Sequence, residues 1–222
     1  MKILPYLSLI VMLSLFGCAR EETENSSKNV LSQITIPVRV YNYHFVYATD
    51  LSSTFTKNEI QLYFDKVNQI WKQAGIQYNI RSFETININD LIFSNTNYEN
   101  YSNREFRIIL EELSEANIST NSMTNEGVWT LVLINKFAHP AGGVWSKRTE
   151  TVFFAQTQNG VPVVKNILAH ELGHSLSLTH VDADQNPDNL MKTGDGNPET
   201  AEKLTDEQIT IARQKALYYL NR

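Results

Sequence analysis

The sequence has 222 residues, of which 42% are hydrophobic, and it carries a formal net charge of −5. This length suits one domain of ordinary size with a buried core and some additional residues. The mildly acidic balance, without a run of basic residues, gives no support for a nucleic-acid partner. Cys18 is the only cysteine, which excludes a disulfide framework within one molecule.

The first 17 residues have the pattern of a signal peptide. Lys2 supplies a small positive region, and the apolar stretch at residues 3–16 is too short to favour a membrane-spanning helix. The stretch ends in Leu15-Phe16-Gly17-Cys18. This resembles the bacterial lipobox, in which the signal is cut before a cysteine that then carries lipid. An ordinary cleaved signal or an uncleaved anchor would also explain the segment.

The sequence thus predicts a lipoprotein of three parts. Residues 1–17 are the signal peptide, and residues 18–33 are a polar, flexible tether that lipid on Cys18 attaches to the membrane. Residues 34–222 form the folded domain. We expect the protein in the bacterial cell envelope, at the outer membrane or the cell surface.

The remaining sequence alternates between strand and helix patterns. In chain order it predicts a strand at 34–47, a helix from Thr56 to Gly75, a strand at 77–88, a helix from Ser102 to about Ala116, a polar loop at 117–127, a strand at 128–134, a strand at 151–156, a helix at 163–176 and a last helix after Thr205.

Three of these helices begin at a capping box. The boxes are the pairs Thr56 and Glu59, Ser102 and Glu105, and Thr205 and Gln208. Residues 128–134 are apolar on both faces and predict a central strand, whereas residues 151–156 are expected at an edge. This order favours an α+β domain with a mixed sheet.

Three of the five histidines, His170, His174 and His180, are clustered, and Glu171 follows the first of them. Residues four apart lie on one face of a helix, so His170 and His174 can aim their rings at one point. Two neutral imidazoles suit zinc. Glu171 could take the proton of a water whose pKa the metal lowers. The alternative is a helix with two incidental histidines.

A catalytic zinc usually has three protein ligands and a water. His180 lies six residues after His174, where a continuing helix would turn it away from the shared face. The chain must therefore leave the helix near Ser177 for His180 to reach the metal.

The segment from His170 to His180 resembles the metzincin pattern HExxHxxGxxH, and the spacing of all three histidines matches. Ser177 replaces the family glycine that allows the sharp turn at the end of the helix. A serine in left-handed geometry costs on the order of 1 kcal/mol, which a packed domain can absorb. The family also has a methionine-containing turn beneath the metal. Met191 is the candidate for it, with ordinary core packing as the alternative.

Within the metzincins, the sequence is most similar to the matrixins. The residues that carry this likeness are the start of the last helix at 204–208 and the glycine-bearing loop before Thr151.

The resemblance implies a fold, a cofactor and a partner. It implies a zincin domain with a mixed, mostly parallel twisted sheet, an active-site helix and a C-terminal helix. It implies one catalytic Zn²⁺ held by His170, His174 and His180, with Glu171 as the general base. A peptide or protein substrate in extended conformation would pair with the edge strand at 151–156 by strand addition.

Four other polar residues have weaker interpretations. His139, in a glycine-bearing loop, could contact substrate or a second metal, but a surface histidine is preferred. Asp182, Asp184 and Asp188 could hold Ca²⁺ or orient a histidine. Their spacing is not that of an EF-hand, and a solvated acidic loop is the preferred interpretation.

The sequence therefore predicts a lipid-anchored zinc endopeptidase that hydrolyses peptide bonds through a metal-bound water and Glu171. One alternative is a surface binding lipoprotein on a metzincin scaffold with little turnover, against which the intact Glu171 argues. Others are a zinc amidase that acts on cell-wall peptides and a purely structural zinc site.

Overall fold

The computed structural model describes residues 31–89, 98–193 and 200–222. The predicted signal peptide, Cys18 and all but the end of the predicted tether lie outside the described residues, so they stay predictions. None of the helices within the described ranges has the length and apolar character needed to cross a membrane.

A mixed sheet forms the framework of the domain. Its strands are β1 (Ile34–Phe45), β2 (Ile76–Ile88), β3 (Trp129–Ile134), β4 (Gly143–Ser146) and β5 (Thr151–Ala155). The order is β2-β1-β3-β5-β4. Only β4 runs antiparallel to its neighbour, β5, and the other pairs are parallel. This confirms the α+β fold with a mostly parallel sheet. A small hairpin of β6 (Thr157–Gln158) and β7 (Val161–Pro162) follows.

The prediction that the strand at 151–156 forms an edge is wrong. β5 lies between β3 and β4, and all five of its residues are buried. The edge at this end of the sheet is β4, which the sequence did not reveal. It has four residues, begins at Gly143 and is mostly half-buried. So short a strand carries too little alternation to be recognised.

Five helices complete the described fold. They are α1 (Lys57–Trp71), α2 (Asn103–Asn117), α3 (Ser122–Glu126), α4 (Lys165–Ser175) and α5 (Asp206–Leu220). The capping boxes predicted for α1, α2 and α5 are all present. The five-residue α3 replaces part of the predicted loop at 117–127. It is short and polar, so no apolar periodicity marked it.

α4 is held in place by the core on which it packs. It contacts both α1 and the edge strand β4. The indole N–H of the fully buried Trp71 at the end of α1 donates to the Ala169 carbonyl of α4 at 3.2 Å. A second buried indole, that of Trp129 in β3, donates to the Ser175 hydroxyl at 2.9 Å. The helix that carries His170, Glu171 and His174 is thus held at its middle and at its C-terminal end.

Candidate metal centre

The three clustered histidines converge on one point. His170 and His174 project from α4, four residues apart. Nε2 of His180 lies 3.1 Å from Nε2 of His170 and 3.0 Å from Nε2 of His174. The structure therefore brings together all three residues that the sequence proposed as metal ligands.

His180 reaches this point because the chain reverses sharply after α4. The Leu178 N–H donates to the Gly173 carbonyl at 3.0 Å, and the Ser177 N–H donates to the His174 carbonyl at 3.0 Å. These two bonds define a Schellman motif, which needs a left-handed residue just after the helix. Ser177 has φ 68°, so the predicted break of the helix at Ser177 is confirmed.

Backbone carbonyls set the orientation of the two helical imidazoles. Nδ1 of His170 lies 2.7 Å from the Leu190 carbonyl, and Nδ1 of His174 lies 2.8 Å from the Leu178 carbonyl. A carbonyl only accepts, so each Nδ1 carries the ring hydrogen and each Nε2 keeps a free lone pair. Both lone pairs face the convergence point. Leu178 thus serves the Schellman turn and His174 together.

The donor set fits a zinc ion. At Zn–N distances of 2.0–2.1 Å, two ligands of a tetrahedral zinc lie about 3.3 Å apart, close to the Nε2 separations of 3.0 and 3.1 Å. Burial lowers the pKa of His170 to about 4 and also lowers the pKa of His174. Both rings are therefore neutral at pH 7, as metal ligation requires. Within the described ranges, no other group of three or more His, Cys, Asp or Glu side chains could hold a metal.

The side chain of Glu171 extends from α4 to the edge strand β4. Its side chain is buried, and burial raises the pKa of its carboxyl to about 8, although the backbone N–H of Trp145 donates to it and lowers the pKa. Gly143 leaves room for it, because a Cβ at that position would lie 2.6 Å from Glu171 Cγ. Glu171 also lines two cavities, of about 240 and about 610 Å³. A buried carboxyl with access to both is placed for proton transfer.

Met191 packs under α4 next to a metal ligand. It is fully buried, and a Cβ added to Gly173 would lie 2.5 Å from its Sδ. The Met191 carbonyl accepts the N–H of Val181 at 2.9 Å, which ties the segment after His180 to the same turn. Met191 thus packs against the helix that carries His170 and His174, and its role as the methionine of a metzincin turn stays a prediction.

A buried amide pair beside Met191 was missed by the sequence. The side chain of Asn189 donates to Gln208 Oε1 at 2.9 Å, and the Gln208 amide donates back to Asn189 Oδ1 at 3.2 Å. Asn189 Oδ1 also accepts the Met191 N–H at 2.8 Å. Leu190, which lies between Asn189 and Met191 in the chain, orients His170 through its carbonyl. Gln208 was recognised only as a capping residue, because its pairing with Asn189 is a tertiary contact.

His139 and the aspartates take no part in this cluster. His139 is exposed, and its backbone N–H donates to Asn103 Oδ1 at 3.2 Å. Asp188 pairs with Lys203 at 2.9 Å, and Asp182 accepts the backbone N–H of Asp184 at 2.9 Å. The three aspartates do not converge on one point as the histidines do.

A comparison with known families decides the class of protein. Residues 57–181 match the model of the reprolysin-like metallopeptidases of family M12B. The chain belongs to this family. Members of this family are metallopeptidases, which agrees with the histidine cluster as a candidate metal site. The match is to the reprolysin-like model, so the predicted likeness to matrixins stays a prediction. No curated protein matches the chain.

Several solved structures are similar to this reprolysin-like domain at low sequence identity. Archaemetzincin from Methanopyrus kandleri is 12% identical, with a TM-score of 0.52 over 86% of this chain and 97% of that one. A chain in a chaperone–substrate complex is 14% identical, with a TM-score of 0.50 over 86% of this chain. Metalloproteinase-II from Bacteroides fragilis is 15% identical, with a TM-score of 0.47 over 83% of this chain. This chain spans only 35% and 54% of the last two structures.

Proposed function

We propose that the protein is a zinc endopeptidase in which His170, His174 and His180 hold the metal and Glu171 is the general base. The observation that carries the proposal is the convergence of three Nε2 atoms beside the buried Glu171 carboxyl. The Nε2 lone pairs of His170 and His174 cannot hydrogen-bond to each other, whereas one cation between them would satisfy both.

The metal, Glu171 and Trp145 each have a separate role in the proposed peptide hydrolysis. A bound zinc supplies Lewis acidity to the scissile carbonyl and to the attacking water. Glu171 accepts the proton of that water and passes it to the leaving amine. Burial raises the pKa of its carboxyl, and a higher pKa makes the carboxylate a better proton acceptor. The backbone N–H of Trp145 keeps the carboxylate aimed at the cleft.

The cleft favours cleavage within a chain over cleavage at an end. β4 is an open edge, onto which an extended peptide can add as a further strand. This role replaces the one expected for the strand at 151–156. Glu171 lines one cavity with Ile167 and Leu190, and another with Val144 and Lys147. Substrate residues on both sides of the scissile bond therefore have space.

The test combines metal analysis with cleavage of a peptide library. The parent should hold one zinc and cut peptides at internal bonds. Glu171→Gln should keep the zinc and lose about 10²–10⁴-fold in kcat. Glu84→Gln, which changes an exposed carboxylate on β2, is the matched control and should behave as the parent. Protein without stoichiometric zinc, or a Glu171→Gln variant as active as the parent, would contradict the proposal.

The same library separates the other hypotheses. A binding lipoprotein would retain peptides without cutting them, and a cell-wall amidase would cut only peptides of the cell-wall type. If the protein holds zinc, either outcome would contradict the proposed endopeptidase function but not the proposed metal site.

We also propose that lipid on Cys18 anchors the protein in the bacterial cell envelope. The support is the sequence Leu15-Phe16-Gly17-Cys18 at the end of an apolar stretch. Mass spectrometry should find a diacylglyceryl group on the N-terminal Cys18 of the mature protein. Cys18→Ser should release the protein from the membrane fraction, and membrane association of this variant equal to the parent's would refute the anchor.

A further inference from the structure

The larger cavity beside Glu171 is lined by two cations. It has a volume of about 610 Å³, and its lining includes Lys147 and Lys215 together with the metal-site residues His174 and His180. Among the described residues that line it, Glu171 is the only one with an acidic side chain. The whole chain has a net charge of −5, so these two lysines are not simply part of a generally basic protein.

Neither lysine has an ionic partner among the described residues. Lys147 and Lys215 are absent from every ion pair in the described ranges, whereas Lys66, Lys136 and Lys203 each face a carboxylate. Two uncompensated positive charges therefore add to the potential of one concave surface, where fields are strongest.

Lys215 is held in position while keeping its charge. Its Nζ lies 4.6 Å from the centre of the Tyr219 ring and 5.2 Å from that of Tyr218. The Tyr219 ring in turn packs edge-on against the buried Trp129, with centroids 5.8 Å apart. Aromatic faces attract an ammonium group without neutralising it. A cation that is already ordered loses less entropy when it binds an anion.

The direction of β4 decides which part of a substrate meets these lysines. β4 runs from Gly143 to Ser146, and Lys147 follows it directly. Antiparallel pairing is slightly more stable than parallel pairing. A peptide that adds antiparallel to this edge therefore enters beside Lys147 and leaves beside Gly143. Its residues on the amino-terminal side of the scissile bond lie next to the two lysines.

We propose that this cavity is a subsite for an acidic side chain, and that Lys147 and Lys215 select substrates with Asp or Glu on the amino-terminal side of the scissile bond. The inference rests on the proposed endopeptidase function. Lysine or arginine at the same substrate position is rejected by like-charge repulsion. A free α-amino group near this position is rejected for the same reason, which disfavours removal of single N-terminal residues.

The test uses matched peptides that differ at one position on the amino-terminal side of the cleaved bond. Peptides with Glu should have kcat/KM about threefold to tenfold higher than those with Gln, and those with Lys should be lower still. The preference should weaken in higher salt, which screens partly exposed charges.

Three variants assign the preference to the cavity. Lys147→Glu should abolish or reverse it. Lys215→Met, which keeps the apolar packing on Tyr219, should reduce it. Lys57→Glu makes the same charge change as Lys147→Glu at an exposed position outside the cavity and should leave it unchanged. An equal preference in Lys147→Glu and the parent, or an acidic preference only on the carboxyl-terminal side, would overturn the inference.

Failure of the inference is distinct from failure of the proposed function. A parent enzyme that cuts library peptides without regard to charge refutes the acidic subsite alone. A parent that cuts none refutes the endopeptidase, and the subsite is then tested by binding. The Glu171→Gln variant should still bind a fluorescent Glu-containing peptide more tightly than its Lys counterpart, and equal binding would refute the subsite.

Discussion

The buried amide pair of Asn189 and Gln208 touches no metal ligand, yet its loss should weaken zinc binding. Asn189→Ala removes two hydrogen bonds to Gln208, of 2.9 and 3.2 Å, and the 2.8 Å bond from the Met191 N–H. At about 1 kcal/mol each, with buried donors left unpaired, the free energy of unfolding of the metal-free protein should fall by about 3 kcal/mol. The turn that presents the Leu190 carbonyl to His170 then loosens.

Zinc affinity measures that loosening directly. Partners that orient a metal-ligating histidine contribute about 10–100-fold to metal affinity. Asn189 acts on His170 only through Leu190. We therefore expect Asn189→Ala to weaken zinc affinity about tenfold, the lower end of this range. Competition with a chromophoric chelator gives the affinity, and denaturant unfolding of the metal-free protein gives the stability.

Thr205→Ala is the matched control for this effect. It removes the capping bond to the Gln208 N–H, of 3.2 Å, and leaves the amide pair with Asn189 in place. It should cost about 1 kcal/mol of stability without changing zinc affinity. If Asn189→Ala binds zinc as tightly as the parent, or if both variants lose affinity equally, the pair does not position His170.

Three further substitutions probe the turn, the packing beneath the site and the edge strand. Ser177→Gly should keep or raise the free energy of unfolding by up to about 1 kcal/mol, because glycine adopts the left-handed conformation freely; a clear loss in denaturant unfolding would argue against that turn. Gly173→Ala should lower the free energy of unfolding, measured by thermal denaturation, by about 1–3 kcal/mol, since the new Cβ would lie 2.5 Å from Met191 Sδ. Glu111→Ala should raise the KM for peptides in steady-state kinetics and cost about 2–3 kcal/mol of stability, because buried Glu111 accepts the Ser146 hydroxyl at the end of β4 at 2.6 Å. An unchanged KM would show that this end of β4 does not bind substrate.

The features that could be predicted from the sequence are those determined by residues close together in the chain. The capping boxes at Thr56, Ser102 and Thr205 each involve residues three positions apart. The continuous apolar run of β3 marks its central place in the sheet. β4 and α3 were missed because they have four and five residues and little pattern of their own. For β4, pairing with β5 decides its existence more than its own sequence does.

The same distinction between local and distant contacts applies to the candidate site. The spacing of His170, Glu171 and His174 on one helix predicted their arrangement, and the need for a third ligand predicted a break at Ser177. The edge at β4 could not be predicted, because strand order depends on contacts between distant segments. The strand at 151–156 was predicted at an edge but pairs on both sides.

The two helical ligands are oriented by partners at very different distances in the chain. His174 is held by the Leu178 carbonyl, four residues away and within the same Schellman turn. His170 is held by the Leu190 carbonyl, twenty residues away, in a turn whose neighbour Asn189 is bonded to Gln208 of α5. Local folding of α4 therefore suffices to orient His174 but cannot orient His170. The C-terminal helix belongs to the metal centre although none of its residues is a ligand, and a chain that lacked α5 would retain the histidine motif without a preorganised site.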